Sequence, residues 1–313
     1  MNCYMSVPWV EKYRPNSFED IVLSPLNRRI LNNIVETSNF PNVLFYGPPG
    51  TGKTTTVINL IARYQDKHGQ KNRSLVIHLN ASDERGIEVI RSQINQFVAS
   101  KPLFASGTKF VILDEVDYMT KNAQQALRYL LQSHDASVRF CLICNYVSKI
   151  DEALQADLVR LRFNQLPSEE VRTFIDRISK IEQVNLSPDS IKAVQRAYGS
   201  DMRSMINYIQ SNMGAGDTLK VADDAVWEAI SPNKDLIDTN TPTSLESNLR
   251  TIMTDYALDM RSVLSGFVYY LVRQKSFLVT QSTLHRLARV MHLPDPLPDF
   301  AMPLFCRSIV PNM

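Results

Sequence analysis

Gly47-Pro-Pro-Gly-Thr-Gly-Lys-Thr54 has the spacing G-x-x-x-x-G-K-[ST] and directly follows the apolar run Val43-Leu-Phe-Tyr46. Residues of these types in this order can hold a nucleoside triphosphate. Glycines let the backbone wrap phosphates with its N–H groups, the Lys53 ammonium reaches the β and γ phosphates, and the Thr54 hydroxyl can serve Mg²⁺. Gly47, Pro48, Pro49, Gly50, Thr51, Gly52 and Thr55 complete the candidate cradle. A second stretch, Phe110-Val-Ile-Leu-Asp-Glu115, supplies the acids. An apolar strand ending in Asp114 and Glu115 can hold a metal's water shell with Asp114 and orient an attacking water with Glu115. Taken singly, each stretch also has a plain reading, as a glycine-rich turn that binds nothing and as a buried strand ending in two solvated acids. Their pairing, and the order strand, loop, helix, favour the nucleotide site.

The elements that must position these residues are legible as apolar runs at Val43 to Tyr46, Leu75 to Leu79, Phe110 to Leu113 and Phe140 to Cys144, with a fifth candidate at Val159-Arg-Leu-Arg-Phe163. They alternate with helical segments, the pattern of a parallel sheet covered by helices. After Phe163 the pattern becomes helical throughout. Ser168 opens a helix with Glu169 and Glu170 in its first turn, favourable at the positive end of the helix dipole. Ser187-Pro188 opens a second, which Gly199 stops. A third begins near Asp201, with Met202, Met205, Ile206, Ile209 and Met213 at helical spacing. Ser231-Pro232 to Thr241-Pro242 reads as a linker. Beyond it, helices are expected around Leu245 to Tyr256, Met260 to Leu271 and Thr280 to Met291, while the proline-rich stretch from Pro294 onward suggests no regular element.

With 313 residues, 44% hydrophobic and 21% charged, the chain is long enough for two or three units, each with its own core. A formal charge of +2 is too small to announce a nucleic-acid partner through the whole-molecule field. No apolar run approaches the roughly 18 residues of a membrane span, and Met1-Asn-Cys-Tyr-Met5 lacks the pattern of a secretion signal, so an intracellular protein with no membrane partner is expected. Cys141-Leu-Ile-Cys144 lies inside an apolar strand with no second Cys or His pair nearby, and reads as buried thiols rather than half a metal site.

Trp9-Val-Glu-Lys-Tyr-Arg-Pro15, the loop at 47–54, Asn80-Ala-Ser-Asp-Glu-Arg-Gly-Ile87, Leu113-Asp-Glu-Val-Asp117, Cys144-Asn-Tyr-Val-Ser-Lys-Ile150 and Gly199-Ser-Asp-Met-Arg203 follow one another along the chain. In these segments the chain resembles the replication factor C small subunits, AAA+ clamp-loader ATPases. The resemblance spans about residues 7 to 230 and weakens beyond to length and helical character. It implies an α/β P-loop NTPase domain with a parallel sheet (1–164), a small all-helical lid domain (165–231), a linker (232–243) and a C-terminal helical collar domain (244–313). It also implies ATP and Mg²⁺ as cofactors. The expected partners are other clamp-loader subunits in a hetero-oligomeric, five-membered ring, a sliding clamp and primer-template DNA. The nucleus is the expected location in a eukaryotic cell, or the host replication site for a viral protein.

The same resemblance assigns roles by position. Val10, Tyr13, Arg14 and Val22 fall where the family packs around adenine and ribose. Asn145 matches the first sensor, which orients the lytic water beside Glu115, and Arg203 matches the second, which reaches the γ-phosphate. Arg85, Ile87 and Arg91 match the element that tracks the DNA backbone. Phosphate contacts of that kind place a duplex without reading its sequence. Gln124 and Arg128 lie on a helix that carries interface residues in the family.

One departure stands out. Where the family carries Leu-Gln-Ser-Arg-Cys, this chain has Leu154-Gln-Ala-Asp-Leu158, so Asp157 replaces the arginine expected to enter a neighbour's ATP site. A trans arginine can be worth about 10³ to 10⁵ in rate. The change leaves this chain's own pocket intact and bears on the next subunit's. Three accounts stand: the neighbour has no active site, the protomer occupies a ring position that faces none, or Arg160 or Arg162 has taken over. Two functional readings compete with a catalytic clamp-loader subunit: a noncatalytic ATP-binding scaffold subunit of such a ring, and an AAA+ ATPase acting on protein substrates. The latter would require an aromatic pore loop, which the sequence does not display.

Overall fold

An apolar run without alternation demands a strand covered on both faces, and β1 (Val43–Tyr46) meets that demand, with Val43, Leu44 and Phe45 fully buried. β2 (Val76–Asn80), β3 (Lys109–Asp114), β4 (Val138–Cys144) and β5 (Val159–Arg162) complete one sheet of order β2-β3-β4-β1-β5. Every pairing is parallel. β2 starts at Val76 rather than Leu75 because Arg73–Leu75 forms a single 3₁₀ turn, capped by the Asn72 side chain on the Ser74 N–H. β5 is an edge strand in which only Leu161 is buried and both arginines are exposed, which discourages pairing with another chain.

The computed structural model describes residues 7–70, 72–82, 86–100, 107–133, 137–184, 186–212, 222–231, 241–256, 258–294 and 296–310. They belong to two units, one of Met1–Glu182 with Tyr198–Ser211 and one of Gln183–Ala197 with Asn212–Met313.

In the first unit, α1 (Trp9–Lys12) precedes α2 (Pro25–Glu36), whose start is set by Pro25 and by Ser24 Oγ accepting the Asn27 N–H at 3.3 Å. α3 (Lys53–Lys67) springs from the glycine-rich loop. α2 and α3 cover one face of the sheet, where Leu31, Val35, Val57, Leu60 and Tyr64 pack with Phe45, Phe110 and Ile143. α4 (Gly86–Ala99) and α5 (Lys121–Ser133) serve the opposite face, where Ile94, Leu127 and Leu130 pack with Leu44, Val111, Leu113 and Leu142. Successive strand residues thus serve opposite cores, as the period of two requires. α6 (Glu152–Ala156) is capped by Asp151, and α7 (Ser168–Ile181) carries Glu169 and Glu170 in its first turn. α8 (Pro188–Tyr198), which belongs to the second unit as far as Ala197, ends at Gly199 with φ +61°, and α9 (Met202–Ser211) follows in the first unit. Met213 lies outside the described residues.

In the second unit, α10 (Asp224–Ile230), α11 (Pro242–Asp255), α12 (Met260–Gln274), α13 (Gln281–Met291) and α14 (Ala301–Ile309) enclose a core of Trp227, Leu249, Val263, Phe267, Val290 and Phe305. Gly266 of α12 lets the Trp227 indole approach to where a Cβ would lie 2.9 Å from its ring. α14 is the element that the proline-rich sequence conceals. Its Pro303 occupies the third helical position, where the N–H has no helical partner in any case, so the ring costs little.

Lys109, 8% exposed at the start of β3, sends its ammonium to the carbonyls of Phe97 (2.7 Å), Val98 (2.8 Å) and Ser100. It therefore supplies the donors that the last turn of α4 lacks and ties that helix to the sheet. Lys109→Met should lower the unfolding free energy by about 1–3 kcal/mol, since buried carbonyls would lose their partners. Urea denaturation of the two proteins measures the difference.

Candidate functional site

The strand order decides where the chemistry gathers. β1 lies between β4 and β5, and β3 lies on the far side of β4. The loop leaving β1, Asn145 leaving β4 and Asp114 ending β3 are therefore neighbours at the carboxyl edge of the sheet, where open parallel sheets bind ligands. The register places Tyr46 opposite Cys144 and Leu113 opposite Leu142.

The loop takes its shape from glycines that no other residue could replace. Gly47 has φ +143°, and a Cβ there would lie 1.8 Å from the Phe163 carbonyl oxygen. Gly50 has φ +69°, and a Cβ there would lie 1.7 Å from Asp201 Oδ1. Lys53, 7% exposed, donates from Nζ to Gly47 O (2.8 Å), Pro48 O (2.8 Å) and Asn145 Oδ1 (2.9 Å). Burial pushes its pKa below 10.5, the Asp114 carboxylate pulls it back, and the Arg203 charge adds to the lowering.

Thr54 Oγ1 donates to Asp114 Oδ2 at 2.7 Å, joining the two sequence motifs directly. Burial alone would raise the Asp114 pKa. The His78 imidazole 3.9 Å away and hydrogen bonds from Thr54 and the Glu115 N–H outweigh it and hold the group below 3.8, so it is a carboxylate at neutral pH. A hydroxyl beside a carboxylate is a hard oxygen pair suited to Mg²⁺. Glu115 sits in the left-handed region at φ +57°, a strained placement that turns it into the cleft instead of continuing the strand.

A cleft of about 220 Å³ is lined by Val10, Tyr13, Arg14, Val22, Pro49 to Thr55, Asp114, Glu115, Asn145 and Arg203. Gly47 and Pro48 contribute from behind, as acceptors for Lys53. Arg14 Nε donates to Thr55 Oγ1 at 3.2 Å, and Asn59 Nδ2 donates to Pro15 O at 3.0 Å, which fastens the N-terminal segment to α3. Arg85 lies outside the described residues. Ile87 and Arg91 fall on α4, but their side chains lie outside the described residues.

Several contributors have no role assigned to them from the sequence. Ile21, Leu166, Phe174, Met202 and Ile206 supply an apolar wall; helical spacing marks Met202 and Ile206 only as core residues, and nothing local marks the other three. Asp117, 5% exposed, accepts the Asn145 N–H on Oδ1 (3.4 Å) and the Tyr146 N–H on Oδ2 (3.3 Å), so it sets the aim of Asn145. Asp201 caps α9, accepting the Ser204 N–H at 3.0 Å, while the Met202 N–H donates to Gly50 O at 3.1 Å. The helix that carries Arg203 is thus bonded to the phosphate loop itself. A helix-capping aspartate was the available signal, but its second neighbour was not.

Gln124 is 2% exposed. Its Nε2 donates to Met119 O (3.1 Å) and Lys149 O (3.0 Å), and its Oε1 accepts the Asp151 N–H (2.7 Å). It is an internal strut between the loops after β3 and β4, not an exposed interface side chain. Asp157 closes α6 and accepts from Arg128 Nε and Gln132 Nε2, each at 3.0 Å, so its charge is met within the chain. Arg160 is exposed on β5 and bonded to Gln155. Cys141 and Cys144 are buried, and burial pushes the Cys144 thiol up to about 12. Among the described residues no group of His, Cys, Asp and Glu could hold a metal by itself, and no helix is long and apolar enough to cross a membrane.

Residues 43–166 match the family model described as ATPase family associated with various cellular activities (AAA). The chain is 38% identical over 250 residues to replication factor C subunit 3 of Schizosaccharomyces pombe, covering 80% of this chain and 70% of the relative. It is 35% identical to replication factor C subunit 3 of Saccharomyces cerevisiae (80% and 72% covered) and 39% identical to replication factor C small subunit 2 of Pyrobaculum islandicum (79% and 76% covered). Among solved structures it is similar to the Thermotoga maritima RuvB Holliday junction branch migration motor, with a TM-score of 0.52 at 13% identity over 83% of this chain and 91% of that one. At that identity the likeness speaks for the fold alone.

Two outcomes test this geometry. Asp117→Asn turns an amide hydrogen toward backbone N–H groups and should misplace Asn145, lowering ATP hydrolysis by about 10²-fold, the size of loss expected from a displacement near 1 Å, with nucleotide affinity nearly unchanged. Gly50→Ala should cost roughly 1 kcal/mol from the positive φ alone, with the Asp201 clash added to it. Thermal melting should show that loss together with weakened nucleotide binding.

Proposed function

Since this chain belongs to the replication factor C family of AAA ATPases, we propose that it works as a small subunit of a sliding-clamp loader whose ATP site is assembled from the residues of this cleft. It is a P-loop ATPase of DNA replication, and it acts in a multi-subunit complex with a clamp and DNA. The observation that carries the catalytic reading over the scaffold reading is the 2.7 Å bond from Thr54 to Asp114, which brings the phosphate loop and the acidic strand end to one point with Glu115 and Asn145 beside them.

The reaction is in-line attack of water on the γ-phosphate of ATP. Lys53 and the loop N–H groups bind the phosphates. Glu115 accepts the proton of the attacking water and Asn145 orients it. Arg203 meets charge on the γ-phosphate, and Val10, Tyr13, Arg14 and Val22 enclose the nucleoside. Thr54 and Asp114 would hold Mg²⁺, which would supply neutralisation of phosphate charge.

The finer assignments belong to the same reading. Residues 1–164 form the nucleotide-binding domain, 165–231 a lid, 232–243 a linker, and 244–313 a collar that joins subunits into a five-membered ring. Arg85, Ile87 and Arg91 contact the backbone of primer-template DNA. The protein works inside the cell, in the nucleus of a eukaryote or at a host replication site.

Glu115→Gln in this subunit of a reconstituted complex should lower its single-turnover hydrolysis by about 10² to 10⁴-fold, the usual worth of a general base, while ATP still binds. An unchanged rate would favour the scaffold reading. Asp157→Arg should raise ATPase activity of the assembled ring if the missing trans arginine limits turnover. No change would refute that limit.

A further inference from the structure

We infer that Glu182 is a positioning residue for the nucleoside end of the bound nucleotide and that it acts through Tyr13, an inference that rests on the nucleotide pocket proposed above. Glu182 closes α7 at its C-terminal cap and is not among the residues lining the cleft. Its Oε1 accepts two hydrogen bonds from the N-terminal segment, one from the Tyr13 hydroxyl and one from the Lys12 ammonium at 2.6 Å. Tyr13 does line the cleft.

α1 has four residues, too few to hold a helix by its own backbone bonds. Its place is set by tethers. The Trp9 N–H donates to Gln210 Oε1 of α9 at 2.9 Å, and the Trp9 ring meets Tyr13 edge-on at 6.2 Å. Glu182 holds the other end. The hydrogen bonds from Lys12 and Tyr13 lower its pKa, so it is ionised, and burial followed by the bond to Glu182 raises the Tyr13 phenol, so it keeps its proton to donate. Charge-assisted bonds of this kind are among the stronger ones.

A ring already fixed in the pocket wall gives its contact surface to a ligand without a further ordering cost. If Glu182 is lost, each binding event must order Tyr13 anew. The phosphate loop, held by Lys53, Asp114 and the Met202 N–H, does not depend on this tether. Loss of Glu182 should therefore weaken ligands that carry a nucleoside and spare those that do not.

ADP and inorganic tripolyphosphate, each with Mg²⁺, are titrated calorimetrically into the full chain as wild type, Glu182→Ala, Tyr13→Phe and the double variant. Glu182→Ala should weaken ADP roughly tenfold and tripolyphosphate by less than about twofold, as expected for one to two lost hydrogen bonds. Tyr13→Phe, which keeps the ring, should weaken ADP in the same selective way. The double variant should be no weaker than Glu182→Ala, because the contact that Tyr13→Phe removes is already lost in Glu182→Ala. Unchanged ADP affinity in Glu182→Ala overturns the inference, as does an equal loss for both ligands, which would make Glu182 a general structural support. If Glu182→Ala does not fold, Tyr13→Phe carries the same expectation and the same refutation. A wild-type chain that binds neither ligand overturns the nucleotide pocket itself, and the inference with it.

Discussion

Lys53 carries a full positive charge to a place where only 7% of the residue meets solvent, and the carboxyl edge of the sheet is arranged around the acceptors that charge requires. A buried ammonium without partners would be strongly unfavourable. Gly47 O, Pro48 O and Asn145 Oδ1 satisfy it. Those three atoms come from the loop after β1 and the strand end after β4, so the arrangement exists only because β1 pairs with β4 in parallel and in this register. Asp117 fixes Asn145 from below, and Gln124 fixes the loops on which both aspartate and asparagine depend. One charge requirement thus propagates through the edge of the sheet into the loops beyond it.

The second organising contact is the close approach of Gly50 to the start of α9. A helix with Arg203 in its first turn meets unfavourable dipole charge there, and Asp201 offsets it by capping the same turn. Because the Met202 N–H bonds to Gly50 O, the guanidinium and the phosphate loop share one rigid corner. The N-terminal segment closes the other side of the cleft by fastening to α3 through Arg14 and Asn59 and to α7 and α9 through Glu182 and Gln210.

Much of the fold was legible before any coordinates. β1, β3 and β4 announced themselves because a strand buried on both faces reads as an apolar run, and helix starts at Ser168 and Pro188 followed from first-turn chemistry. α14 was hidden because its proline is harmless only in the first turn, and only packing against the core of the second unit, through Phe305 and Cys306, identifies that turn. The phosphate loop and its acids were readable because their chemistry depends on residue type at fixed local spacing. The apolar wall of Ile21, Leu166, Phe174 and Ile206 was not, since each is an ordinary core residue in its own segment.

The sequence by itself determined the chemistry: a lysine, a hydroxyl and two acids in an order that suits a nucleoside triphosphate, within a family whose members share that order. It could do so because glycine, lysine and threonine at those intervals act through local backbone shape. The tertiary structure alone decided which groups aim them. Asp117, Gln124 and Glu182 each reach partners distant in the chain, Asp201 lies where a side chain on Gly50 would be, and Asp157 finds its countercharge in Arg128. Such contacts depend on strand order and helix placement, which arise from burial across the whole domain and leave no mark in the spacing of neighbouring residues.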